Sequence, residues 1–265
     1  MQRAIVILRR ALNDILDNPV TGLQVSVLPL LITTFVGQHF LEQALQVQRG
    51  SLFMRGQFVW WLWALGLVGV FLPVTWMAVG WHRFILLGEK PWPMAPRLHI
   101  GRILAYSWAS ILVTMVAVIL AILAGTAIGI GHKLTGLGDG QTLRTLGSII
   151  GTFLVAYALM FLSAALVSAA CGRRMSMRQA MWFGDRNTMA IFWLTLLSFA
   201  LAWGLERITG LLHSQGLILG GYELVSNWFL ALFNVGVLTA LVAEAGLPDP
   251  NPPLPPDPLK PIMPP

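Results

Sequence analysis

Residues 103–130 read ILAYSWASILVTMVAVILAILAGTAIGI, a run without Asp, Glu, Lys, Arg or His. At about 1.5 Å per residue it makes a helix roughly 42 Å long, more than the ~30 Å hydrocarbon layer of a bilayer requires. Five other stretches pass the same test: Val20–Leu41, Phe58–Trp81 (with an apolar run on to Leu87), Gly147–Ala170, Met189–Leu205 and Leu224–Ala243. The predicted fold is therefore all-α, a polytopic integral membrane helix bundle of about six transmembrane helices plus interfacial amphipathic segments.

Composition agrees. Of 265 residues, 56% are apolar and 11% charged, whereas soluble domains average about 45–50% and 25%. So few charges cannot cover a water-soluble fold, which excludes a soluble enzyme or a nucleic-acid-binding domain, in spite of the net charge of +6. The single cysteine, Cys171, excludes an intramolecular disulfide and a cysteine-based zinc site. Cations alternate along the chain. The N-terminus, the segments after the second and fourth spans, and the tail hold 12 of the 17 Lys and Arg residues. By the positive-inside rule, both termini face the cytoplasm. Trp60, Trp61 and Trp63 on the outer side, and Trp81, Trp92 and Trp182 on the inner, read as aromatic belts.

Residues 1–18 form a predicted amphipathic helix with Ile5, Leu8, Leu12 and Ile15 on one face and Arg9, Asn13 and Asp17 opposite. It lies either on the inner leaflet or against the protein's own cytoplasmic loops. Asn18-Pro19 supplies a cap and a first-turn proline for the six-helix domain, residues 19–245. Residues 246–265, with ten of the 16 prolines, form an extended cytoplasmic tail. Basic segments precede each odd-numbered span, a layout of three hairpins without a residue-by-residue repeat.

Ionisable groups inside a membrane mark ion paths and catalytic sites, and these spans hold almost none. Asn234 is the one strongly polar side chain near a span's middle; an interhelical hydrogen bond is the expected role and a solute contact the alternative. His82 and Arg83 close the second span, and with Glu89, Lys90, Arg97, His99 and Arg102 they make the densest polar patch. This patch is the candidate binding site, for anionic headgroups of membrane lipids or for a membrane-protein partner. Glu206 or Glu223 is expected to pair with Arg207. Gly125/Gly129 and Gly147/Gly151 have the GxxxG spacing of close-packed membrane helices, and Pro29 and Pro73 are expected to kink theirs. No phosphate loop, nucleophile elbow or zinc motif occurs. No catalytic residue, metal site or cofactor is expected.

Three pieces carry a family resemblance: Asp17-Asn18-Pro19 after the first helix, AVGWHRFILLGE at residues 78–89, and RRMSMRQAMWFGDRN at residues 173–187. The chain resembles uncharacterised bacterial inner-membrane proteins, similar to the membrane domain attached to some glycerophosphoryl diester phosphodiesterases. The likeness covers most of the chain in layout and WHRFILLGE in residues; the hydrolytic domain has no counterpart here. It implies a bacterial cytoplasmic membrane and no known reaction. The expected role is a non-enzymatic accessory or scaffold. The alternatives are a permease for an apolar or zwitterionic solute, or a lipid-modifying enzyme using His82 and Glu89.

Overall fold

The computed structural model describes residues 1–37, 39–40, 42–43, 60–135, 140–173, 175–212 and 217–246. The expected starts and ends at Phe58 and Leu41, and the tail from residue 247, lie outside them. The elements, in order, are α1 (Gln2–Leu16), α2 (Pro19–Ile32, then a π-helical turn Thr33–Gly37), α3 (Trp60–Leu87), α4 (Ile100–Thr135), α5 (Gly140–Phe161), α6 (Ser163–Cys171), α7 (Met177–Leu211) and α8 (Leu217–Ala245). Among the described residues, five helices are long and apolar enough to cross a membrane: α2, α3, α4, α7 and α8. They become six when α5 and α6, bent by 47° at their junction, count as one span.

Local chemistry explains the boundaries. Pro29 has no N–H to give the helix, and the Thr33 hydroxyl donates to the Pro29 carbonyl at 3.0 Å where α2 passes into its π-helical turn. Ser176 and Gln179 form a reciprocal capping box at the start of α7. Gly88 and Gly172 end α3 and α6 in the left-handed conformation, at φ 67° and 79°.

Several expectations need correcting. The fourth span is broken at Leu162 instead of running straight to Ala170. The basic segment at residues 177–187 is no separate interfacial piece but the first turns of the continuous helix α7, started by the Ser176 box. The three basic segments thus take three different forms, a docked helix, a turn and a helix start, and share no repeated structure. In α1 the buried stripe is Ala4, Ile7, Ala11 and Ile15, while Ile5 is exposed. The reason is close packing: α1 lies against α8, and Gly236 there sits within reach of the Ala11 carbonyl and Ile15. Small alanines suit that approach. Gly125, Gly129 and Gly147 face open space, so the GxxxG pairs do not join α4 to α5; only Gly151 nears Ala121.

Contacts across the bundle gather one set of helix ends. Arg10 of α1 pairs with Glu244 of α8, His82 of α3 meets Thr239 of α8, and Arg83 reaches Ala170 of α6. The three cation-rich segments of residues 3–10, 83–102 and 173–186 therefore begin or end at the same end of the bundle. Beyond it, α4 exposes Ile111, Met115, Ile119, Ile122 and Leu123.

Gly80 tests the packing of the turn between α3 and α4. A Cβ there would lie 2.5 Å from the Pro96 Cβ and 3.2 Å from Val25. Gly80→Ala is expected to cost about 1–3 kcal/mol, more than the ~0.5–1 kcal/mol that alanine contributes in a helix. Gly125→Ala, with open space around it, should hold or raise stability. Thermal melts in detergent that rank the two variants equally would show that Pro96 is not seated on α3.

Candidate functional site

The site is built by a helix end. At Gly88 the backbone turns: its N–H bonds the Phe84 carbonyl at 3.0 Å, and the Glu89 N–H bonds the Arg83 carbonyl at 3.3 Å. This turn carries the Glu89 side chain back over Arg83. Arg83 Nε and Nη2 both donate to Glu89 Oε2, at 2.9 and 2.6 Å. Arg83 Nη1 donates to the Ala170 carbonyl at 3.3 Å. A guanidinium at the end of α6 answers the unpaired carbonyls and the negative end of the helix dipole.

The other Glu89 oxygen meets His99 Nε2 at 2.5 Å. A carboxylate only accepts, so the ring donates from Nε2. His99 stands at the start of α4, where its carbonyl accepts from the N–H groups of Arg102 and Ile103. One carboxylate, 18% exposed, thus holds the end of α3 to the start of α4, and through Arg83 to the end of α6. Burial works to raise the Glu89 pKa, but the bonds from His99 and Arg83 outweigh it together and hold the carboxyl below its ordinary value.

Outside this knot lie unpaired cations. Lys90, Arg97 and Arg102 are exposed, and none forms an ion pair with a described residue. The Arg102 guanidinium lies across Gly172, where a Cβ would meet its Cζ at 2.5 Å. Only a glycine permits that approach. Between the cations the turn exposes Trp92 (50%), Met94 (78%) and Leu98 (51%). The backbone is held beneath them: Trp76 Nε1 donates to the Arg97 carbonyl at 3.3 Å, and Trp92 N–H to the Ala95 carbonyl at 2.9 Å.

His82 does not belong to the patch. It is fully buried, and its Nδ1 lies 2.8 Å from Thr239 Oγ1. That hydroxyl donates to the Val235 carbonyl at 2.7 Å, so it accepts from the ring, and Nδ1 carries the proton. Consecutive helical residues point about 100° apart, which sends His82 into the bundle and Arg83 to its end. The pairing of His82 with Glu89 that an enzyme would need is not made. Asn234 is also misplaced by sequence reasoning: it is exposed on α8 and makes no interhelical bond with a described residue. Arg207 stacks on Trp203, 4.8 Å from the ring centre, instead of pairing with Glu206 or Glu223.

His99 was legible only as one more polar residue of the patch, and its grip on Glu89 appears with the turn at Gly88. The Ala170 carbonyl, 87 residues from Arg83, left no sequence signal at all. Among the described residues no three His, Cys, Asp or Glu side chains are grouped to hold a metal ion. No family model, curated protein or solved structure matches the chain.

The knot gives a signed pH dependence. With the folded pKa depressed, Glu89 stabilises the fold fully above its unperturbed value near 4.5 and loses that contribution as pH falls through the folded value. Glu89→Gln leaves Arg83 half-buried without its counter-ion, at a cost of about 1–3 kcal/mol near neutral pH. The difference in melting temperature between parent and variant should shrink as the pH is lowered from 7 towards 3. A difference independent of pH would mean that the carboxylate charge does not hold the three helix ends.

Proposed function

We propose that the chain is a six-span integral protein of a bacterial cytoplasmic membrane, with both termini cytoplasmic. In this reading it acts as a non-enzymatic accessory or scaffold, and the turn between α3 and α4 binds anionic lipid headgroups. The membrane reading draws support from the long apolar helices and from exposed rows such as Ile111, Met115 and Ile119 on α4. Water-soluble monomers rarely expose contiguous apolar patches of that extent. The orientation draws support from the gathering of Arg10, Arg83 and Arg102 at one end of the bundle. The proposed kinship with bacterial inner-membrane proteins rests on the layout and the WHRFILLGE stretch.

One observation carries the lipid assignment. Both Glu89 oxygens are engaged, by Arg83 and by His99, while Lys90, Arg97 and Arg102 form no ion pair with a described residue and flank exposed Trp92, Met94 and Leu98. Cations beside apolar tips suit the boundary between headgroups and acyl chains. A lipid-modifying enzyme draws less support, since Glu89 is bound to Arg83 and His99 and does not meet the buried His82. Asn234, the one contact named for a permease, is exposed on α8 with no partner among the described residues.

Cations near an anionic surface contribute about 1 kcal/mol each. Replacing Lys90, Arg97 and Arg102 together by alanine should therefore weaken association with phosphatidylglycerol up to roughly 100-fold at low salt. Native mass spectrometry of protein reconstituted in mixed phosphatidylglycerol–phosphatidylcholine bilayers reads this directly. Unchanged selectivity in the triple variant would defeat the headgroup assignment. For orientation, in a Cys171→Ala background, Arg3→Cys should resist an impermeant maleimide in intact cells while Glu206→Cys reacts. The reverse pattern would invert the proposed threading.

A further inference from the structure

The second half of α8 is packed nearly all round, with Val237, Leu241 and Val242 fully buried, whereas up to Asn234 one side of the helix stays open. Gly236 receives α1, Thr239 receives His82 of α3, and Trp228 donates to Ser26 of α2 at 2.6 Å. At about 100° per residue, these three lie between roughly 120° and 200° around the helix from Asn234. Asn227 and Asn234 are exposed on the opposite side, and neither amide has a partner among the described residues. Seven residues return a helix to within about 20°, so the two amides share one row, with half-exposed Leu230 between them. Leu224, about 80° from Asn234, continues the exposed side towards the start of the helix.

Depth makes these amides anomalous. The apolar stretch runs Leu219–Ala245, so Asn234 lies about 3 Å and Asn227 about 7.5 Å from its middle. Both are well inside a ~30 Å hydrocarbon layer. Several buried hydroxyls are satisfied within the chain: Ser26 donates to Gly22, Thr195 to Ile191 and Thr239 to Val235, while Ser163 and Ser198 have no partner among the described residues. An acyl chain offers an amide nothing, and an unpaired polar group in hydrocarbon is costly.

We propose that a second copy of this chain covers the row, α8 packing against α8 in parallel through Asn227, Leu230 and Asn234. The chemistry selects the occupant. A carboxamide carries both donor and acceptor, so it complements itself. Two copies inserted the same way place each residue at its own depth, so Asn234 meets Asn234 and Asn227 meets Asn227 about a two-fold axis along the membrane normal. Offsets of three and four put Asn227, Leu230 and Asn234 on one seam; Val237 and Leu241, next in that row, are buried within the chain, so the contact is confined to the part of α8 up to Asn234 and the two helices diverge beyond it. The inference rests on the membrane reading, and its test separates the two.

The experiment uses the full chain carrying Cys171→Ala, in native membranes treated with a disulfide-forming oxidant. Leu230→Cys should give a covalent dimer, and Leu123→Cys, exposed on α4, should not. Without added cysteines, Förster transfer between labelled copies diluted in phosphatidylcholine–phosphatidylglycerol bilayers should show Asn227→Leu with Asn234→Leu raising the dissociation constant at least about tenfold. Asn234→Gln keeps an amide and should retain most of the affinity. A monomer at every dilution, equal cross-linking at residues 230 and 123, or a double variant that dimerises as tightly as the parent each overturns the proposal. Carbonate extraction of the same membranes separates the causes. Release of the chain into the supernatant defeats the membrane reading, whereas retention without the Leu230→Cys dimer defeats the α8 pairing alone.

Discussion

The Glu89 carboxylate accepts from the Arg83 guanidinium on one oxygen and from the His99 ring on the other, while Arg83 bonds the Ala170 carbonyl. Three helix ends meet there. Helices that are apolar on nearly every side have little to specify their relative height, because sliding one past another exchanges one apolar contact for another. The Glu89 charge at the bundle's end fixes that register for α3, α4 and α6. It also leaves Lys90, Arg97 and Arg102 without an ion pair among the described residues.

The interior follows a comparable economy with hydroxyls. Ser26 donates to the Gly22 carbonyl and accepts from Trp228. Thr75 donates to Leu72 and accepts from Ser107, and Thr239 donates to Val235 and accepts from His82. In each case the hydroxyl proton returns to its own helix, one turn back, and a lone pair receives a donor from a neighbouring helix. Local satisfaction and interhelical attachment come from one side chain. This explains how a core containing His82 and a Trp228 indole N–H joins four helices without a buried charge pair.

Much of the fold was legible. Hydropathy located α3, α4 and α8, because a helix that satisfies its own backbone in an apolar medium must show its outward face in its sequence. The polar patch was legible as well, since cations gather in the turn after α3. The break at Leu162 was not: residues 147–170 are apolar on both sides of it, and hydropathy does not register a bend. Neither was the face of α1, where Ala4 and Ala11 are buried in place of Ile5. Close approach at Gly236 rewards small residues over greasy ones, which a hydrophobic pattern ranks the other way.

His82 and Asn234 divide the two kinds of knowledge most clearly. From the chain alone came which stretches are long and apolar and where the cations collect, because each depends on runs of residue types along the backbone. Tertiary structure alone decided that His82 turns inward to Thr239 while its neighbour Arg83 turns to Glu89, and that Asn234 faces out. On a helix apolar all round, rotation about the axis leaves no imprint in composition. Only the neighbours that pack against it choose which side is inside.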